Sequence, residues 1–134
     1  MAEPTPAAPP PFVEQYGGLV KDAFREYAAR VQSDGADVAE RAHSDAARGK
    51  PDLVLALLCV ADLPEGDKRE LLAQAFERRA EVAEATAANL SNEHNRPFPL
   101  ISLEARKDRT MARQVRAGKM IRPYARAPKP ITTQ

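Results

Sequence analysis

The stretch PDLVLALLCV, from Pro51 to Val60, contains the longest apolar run in the chain and decides the fold. Proline suits the first turn of a helix, and Asp52 in that turn suits the positive end of the helix dipole. The eight residues after Asp52 are all apolar, so a helix formed here has no polar face to turn toward water. We therefore predict a short helix at the centre of a helical core.

Cys59 lies inside this run and is the single cysteine among 134 residues. One cysteine excludes an internal disulfide and a cysteine-rich zinc site within one chain. We interpret Cys59 as a buried structural thiol rather than a nucleophile. The run itself is too short for a membrane span, which needs about 20 residues. The start of the chain has no apolar stretch of signal-peptide type, so we expect a cytoplasmic protein with no membrane span.

Apolar residues at helical spacing on both sides of this run predict three further helices between residues 16 and 91. The composition agrees, because the chain has 25 alanines, no tryptophan and few β-branched residues. The predicted helices run from near Gly18 to Val31, from about Ala36 to Arg48, and from about Lys68 to Ser91. We expect Ser33 or Asp34 to cap the second of these, Gly49 to end it, and Asp67 with Glu70 to form a capping box for the longest.

The predicted core joins the central run to the apolar stripes of the other helices. It consists of Phe24, Tyr27, Leu55, Leu58, Cys59, Leu72 and Phe76. Arg79 lies on the stripe of the longest helix, where a bundle would place an aliphatic side chain. We interpret it as a side chain that reaches the rim of the core, with a partner contact or an ion pair to the first helix as the alternative.

A fifth helix is predicted from Ser102, as its cap, to Gly118. Pro97 and Pro99 hold the chain before it extended. At 100° per residue, four arginines share one stripe of this helix, while Met111 and Val115 lie on the other side. The stripe consists of Arg106, Arg109, Arg113 and Arg116.

The ends of the chain are rich in proline and are predicted to be disordered. Five of the 12 prolines lie between residues 4 and 11, and three more follow residue 122. We therefore divide the chain into a Pro/Ala-rich disordered arm (1–15), an acidic helical domain (16–95), and a basic helix with a Pro-rich tail (96–134). The predicted fold class is all-α, a small bundle of about four helices plus the basic amphipathic helix.

The near-neutral net charge of +1 hides a strong asymmetry along the chain. Residues 1–95 hold 10 Lys/Arg against 17 Asp/Glu, a net charge of −7, while residues 96–134 hold 10 against 2, a net charge of +8. Such a basic segment indicates an anionic partner. The alternative is that the segment folds back on the acidic body and neutralises it.

We predict a non-enzymatic binding protein whose basic segment contacts nucleic acid, with arginines on phosphates and an aromatic ring on a base. The predicted partner-binding residues are Arg106, Lys107, Arg109, Arg113, Arg116, Lys119, Arg122, Tyr124, Arg126 and Lys129. The alternative is an adaptor or assembly subunit whose arginine helix docks on an acidic protein surface, including that of another copy in a homo-oligomer.

Other chemistries find little support in the sequence. Neither His43 nor His94 has a recognisable nucleophile partner, so no catalytic residue is assigned. Glu40 and His43 form half of a di-iron motif without a second copy, and Gly17-Gly18 lacks the context of a phosphate loop, so no metal or cofactor is expected. The third and fourth helices have the lengths of a helix-turn-helix, but the fourth is too acidic to enter a DNA groove.

Overall fold

A computed structural model describes residues 9–121, and within them the chain forms six α-helices, a one-turn 3-10 helix and no strand. The all-α prediction is confirmed, whereas the number of helices differs from the four plus one predicted. The helices are α1 (Phe12–Tyr16), the 3-10 turn (Gly17–Leu19), α2 (Asp22–Ser33), α3 (Val38–Ala47), α4 (Pro51–Val60), α5 (Glu65–His94) and α6 (Pro99–Arg116). None of the helices in this range is long and apolar enough to cross a membrane.

Helix α4 is the centre of the core, as its sequence predicts. Val54, Leu57 and Leu58 are completely buried, and α4 packs against α2, α3 and α5. Of the other predicted core residues, Leu55, Leu72 and Phe76 are buried, while three are only half-buried. These three are Phe24, Tyr27 and Cys59.

Helix starts depend on local partners that the sequence patterns did not reveal. Asp37 caps α3, where its Oδ1 accepts hydrogen bonds from the backbone N–H groups of Ala39 (3.0 Å) and Glu40 (3.2 Å). The predicted cap at Ser33 or Asp34 is therefore wrong. Helix α5 begins directly after Pro64, and α6 begins with Pro99, and neither start has a side-chain cap. The predicted starts of these two helices at Asp67 and Ser102 are wrong. Pro99 occupies the first turn of α6, a position that suits proline, and α5 starts at Glu65 with Pro64 as its extended N-cap residue.

Helix ends, in contrast, are where glycine predicts them. Gly49 and Gly118 follow α3 and α6 with left-handed backbone angles, φ 69° and 70°. After α3, the N–H of Gly49 donates to the carbonyl of Ala46 and that of Lys50 to Asp45, both at 3.0 Å. These bonds satisfy the last carbonyls of the helix, which is the usual way that a glycine ends one.

Helix α1 corrects the prediction that residues 1–15 are disordered. Phe12 begins a helix because its N–H donates to Glu65 Oε2 at 2.7 Å, and its ring packs edge-to-face on Tyr16 with centroids 4.9 Å apart. Both rings are completely buried. Nearby, Arg69 donates to the carbonyl of Pro10 at 2.7 Å. The rest of the predicted arm, residues 1–8, lies outside the described residues, as does the predicted disorder of 122–134.

Two side chains of α1 contact the segment that follows α6. The side-chain amide of Gln15 donates to the backbone carbonyl of Gly118 at 2.7 Å, and the hydroxyl of Tyr16 donates to the backbone carbonyl of Lys119 at 2.8 Å. Ile121 is completely buried in the same core. We call these contacts between α1 and residues 118–121 the terminal clasp.

Helices α5 and α6 form the longest interface, an antiparallel pair joined at Asn95, which adopts the left-handed conformation (φ 54°). The helices approach through buried alanines at seven-residue spacing. On α5 these are Ala73, Ala80 and Ala87, and on α6 they are Ala105 and Ala112. A seven-residue repeat of small side chains keeps one stripe of each helix in contact with the other. The fifth predicted helix therefore lies along the acidic body.

Candidate polyanion-binding face

The arginine stripe of α6 is divided by the way this helix packs on α5. The buried side of α6 contains Ala105, Ala112 and Val115. Two of the four stripe arginines, Arg109 and Arg116, lie beside this buried side and contact glutamates of α5. The other two, Arg106 and Arg113, are exposed and lie farther round the helix.

Arg116 is held by two carboxylates. Its Nε and one terminal nitrogen donate to the two oxygens of Glu70, both at 2.9 Å, and that nitrogen also donates to Glu77 at 2.6 Å. The hydrogen bonds from Arg116 lower the pKa of both glutamates, and they raise the pKa of Arg116 itself. A bidentate arginine pair of this kind is among the stronger hydrogen-bonding arrangements.

Arg109, two turns earlier on α6, also pairs with a glutamate of α5, but through a single carboxylate oxygen. Its Nε donates to Glu84 Oε1 at 3.0 Å, a terminal nitrogen contacts the same oxygen, and this hydrogen bonding raises the pKa of Arg109. The glutamates Glu70, Glu77 and Glu84 are seven residues apart on α5, as Arg109 and Arg116 are on α6. This spacing was visible in the sequence and is the signal that could have predicted the pairing.

The remaining predicted contacts in the described range are exposed. Arg106 has no carboxylate within ion-pair distance among residues 9–121, and Arg113 donates only to the hydroxyl of Thr110, at 3.1 Å. Lys107 pairs with Glu104 at 3.3 Å on its own helix. The side chain of Lys119 is exposed, although its carbonyl belongs to the terminal clasp. The predicted contacts Arg122, Tyr124, Arg126 and Lys129 lie outside the described residues.

The α5–α6 interface also contains an ion pair that the sequence did not predict. Arg79 donates two hydrogen bonds to Asp108, from Nε at 2.9 Å and from a terminal nitrogen at 2.8 Å. The side chain of Asp108 is 6% exposed and that of Arg79 is 38% exposed. The sequence pattern predicts a rim side chain at Arg79, with a partner contact or an ion pair to the first helix as the alternative. Arg79 does form an ion pair, but its partner, Asp108, belongs to α6.

Within residues 9–121, no group of three or more His, Cys, Asp or Glu side chains is arranged to hold a metal ion. His43, the histidine of the half-motif, is exposed on α3. Compared with known protein families, curated proteins and solved structures, this chain has no match.

Proposed function

We propose that this protein is a non-enzymatic helical scaffold that binds a polyanion, foremost nucleic acid, through the outward side of α6 and the basic segment that follows it. One observation carries the proposal. After Asp108 the sequence contains seven Lys or Arg and no Asp or Glu as far as residue 134. The body neutralises only part of this charge, because Arg113 and Lys119 make no ion pair within the described residues.

The outward side of α6 supports contacts to successive phosphates. Arg106 and Arg113 are two turns apart, about 10 Å along the helix, and are both exposed. Arginine can form bidentate hydrogen bonds with phosphate, and such contacts bind without reading the base sequence. Together with Lys119 and the three cations in the sequence of residues 122–129, these two arginines make six candidate contacts. This is fewer than the nine cations predicted, because Arg109, Arg116 and Lys107 already pair with carboxylates.

A second candidate, the protein adaptor, is favoured by the first turns of α6. Leu100 is 76% exposed and Leu103 is 42% exposed, and Leu103 lies one turn before Arg106 and Lys107. Apolar side chains next to cations suit an acidic protein surface that has an apolar centre.

The test compares two variants with the same change in charge. Six phosphate contacts predict that affinity for duplex DNA falls as about the fifth power of salt concentration. Arg106→Gln/Arg113→Gln should reduce this exponent by about two. The control, Arg109→Gln/Arg116→Gln, removes the same charge from the same helix and should leave the exponent nearly unchanged. Fluorescence anisotropy with single-stranded and duplex oligonucleotides at several salt concentrations measures both.

Equal effects of the two variants would contradict the outward placement of the contacts. Absence of binding to both DNA and RNA at low salt would contradict nucleic acid as the partner. Light scattering on the same samples tests the adaptor in its self-associating form, which predicts assembly that Leu100→Ser/Leu103→Ser abolishes.

A further inference from the structure

A groove of about 480 Å³ lies between α1, the 3-10 turn, α2 and α4, and none of its lining residues belongs to α5 or α6. It is therefore separate from the basic side of α6. Val13, Val60, Ala29 and Ala56 are among its apolar lining residues, and Cys59 also lies in its wall.

The groove exists because small side chains face each other between α2 and α4. Ala28 and Ala56, each 2% exposed, form its base, and Gly17 contributes no side chain. Val13 and Val60 stand at its edge, 45% and 41% exposed. Covering these exposed side chains with an apolar group is favourable, because it removes apolar surface from water.

Among residues 9–121, Arg25 is the only charged residue that lines the groove. Its guanidinium donates to the carbonyl of Gly17, itself a lining residue, at 3.3 Å. This bond uses one N–H group and leaves further donors of the guanidinium available for an acid group. No carboxylate of the described part of the chain belongs to the lining, so there the groove combines an apolar wall with one positive charge.

We propose that this groove binds a small amphipathic anion, an aliphatic monocarboxylate such as a medium-chain fatty acid, with its carboxylate on Arg25 and its chain along the valines and alanines. Charge complementarity supports this occupant, because one cation in an apolar surface matches one acid group on an apolar body. The volume supports it as well, since grooves for small molecules measure roughly 300–1,000 Å³.

Cys59 provides a specific reporter for the occupied groove, because the chain has no other cysteine. The thiol is half-buried, and burial raises its pKa. A bound aliphatic chain should cover it further. We expect decanoate, below its micelle concentration, to slow the reaction of Cys59 with a maleimide several-fold at constant pH. Isothermal titration calorimetry on the full chain gives the affinity for decanoate directly.

Two comparisons isolate the roles of charge and shape. Arg25→Gln should weaken decanoate binding about tenfold, since a charge-assisted hydrogen bond is lost, whereas Arg30→Gln, on the same helix but outside the groove, should not. Uncharged 1-decanol should bind the natural chain with about the same affinity as decanoate binds the Arg25→Gln variant. Filling the groove by Ala56→Leu should abolish Cys59 protection, with circular dichroism to verify that the variant is folded.

Three outcomes would overturn the proposal. They are the absence of Cys59 protection by decanoate, equal affinities of the Arg25→Gln and Arg30→Gln variants, and protection of Cys59 without ligand in a dimer detected by sedimentation. The last would assign the groove to a second copy of the chain.

Discussion

At the scale of single residues, Gly49 has the most stringent requirement. Its φ of 69° disfavours any side chain, and a Cβ at this position would lie 2.9 Å from the backbone nitrogen of Arg79. The turn between α3 and α4 thus touches the backbone of α5 directly. We expect Gly49→Ala to reduce the free energy of unfolding by about 3 kcal/mol, from left-handed strain plus the displaced helix. Urea unfolding followed by circular dichroism measures this loss.

Gly35 is the matched control for this prediction. Its φ of 73° is nearly the same, but no atom lies within 4 Å of an added Cβ. Gly35→Ala should therefore cost about 1 kcal/mol, the strain alone. If the two variants lost equal stability, the close approach of the α3–α4 turn to α5 would be refuted.

At the scale of helices, the Arg79–Asp108 pair fixes how α6 lies along α5. A buried charge in a seam of alanines is satisfied in only one register. Arg79→Met leaves the carboxylate of Asp108 buried without its partner, so we expect a loss of about 3–5 kcal/mol. The double variant Arg79→Met/Asp108→Ala should recover much of that loss. Denaturant unfolding of Arg79→Met, Asp108→Ala and the double variant completes a double-mutant cycle. Additive losses of unfolding free energy would show that the pair is not coupled.

The glutamates held by Arg116 predict how stability depends on pH. Their pKa is lowered in the folded protein, so they stabilise the fold above the pKa of the unfolded chain, about 4.3. This contribution is lost as pH falls through the lower folded-state pKa. We expect the difference in unfolding free energy between the natural chain and Arg116→Gln to shrink as pH is lowered from 6 to 3.

The titration of Asp52 does not affect this comparison of the two proteins. Burial raises its pKa, so it acts in the opposite sense, but it is present in both proteins. A difference between the two proteins that stays constant over this pH range would show that Arg116 contributes nothing through Glu70 and Glu77.

These features separate what the sequence can predict from what it cannot. The buried α4 and the glycines that end α3 and α6 depend on short-range signals and were predicted correctly. The packing of α6 against α5 was not predicted. The buried side of α6 is mainly alanine, and alanine at this spacing does not identify a partner helix. For the binding residues, the sequence revealed the cations, and the seven-residue spacing shared by the α5 glutamates and Arg109 and Arg116 was the available signal for which of them hold internal carboxylates.

At the scale of the whole molecule, the packing of α6 bears on the division of the chain at residue 95. A chain that ends at Asn95 would expose the alanine seam of α5 and would remove Val115 and Ile121 from the core. We expect it to unfold at a much lower urea concentration than the full chain, or without a cooperative transition. An unchanged midpoint would show that residues 16–95 are an independent domain.

The terminal clasp has a consequence for the order in which the protein is made. Tyr16 and its partner Lys119 are 103 residues apart, and synthesis proceeds from the N-terminus. When Phe12 and Tyr16 leave the ribosome, residues 118–121, which complete their burial, have not yet been translated. These two rings, the largest of the fully buried side chains, can pack against α4 and α5 first, but their burial is completed only when residues 118–121 arrive. The end of the bundle that is synthesised first is therefore the one that closes last.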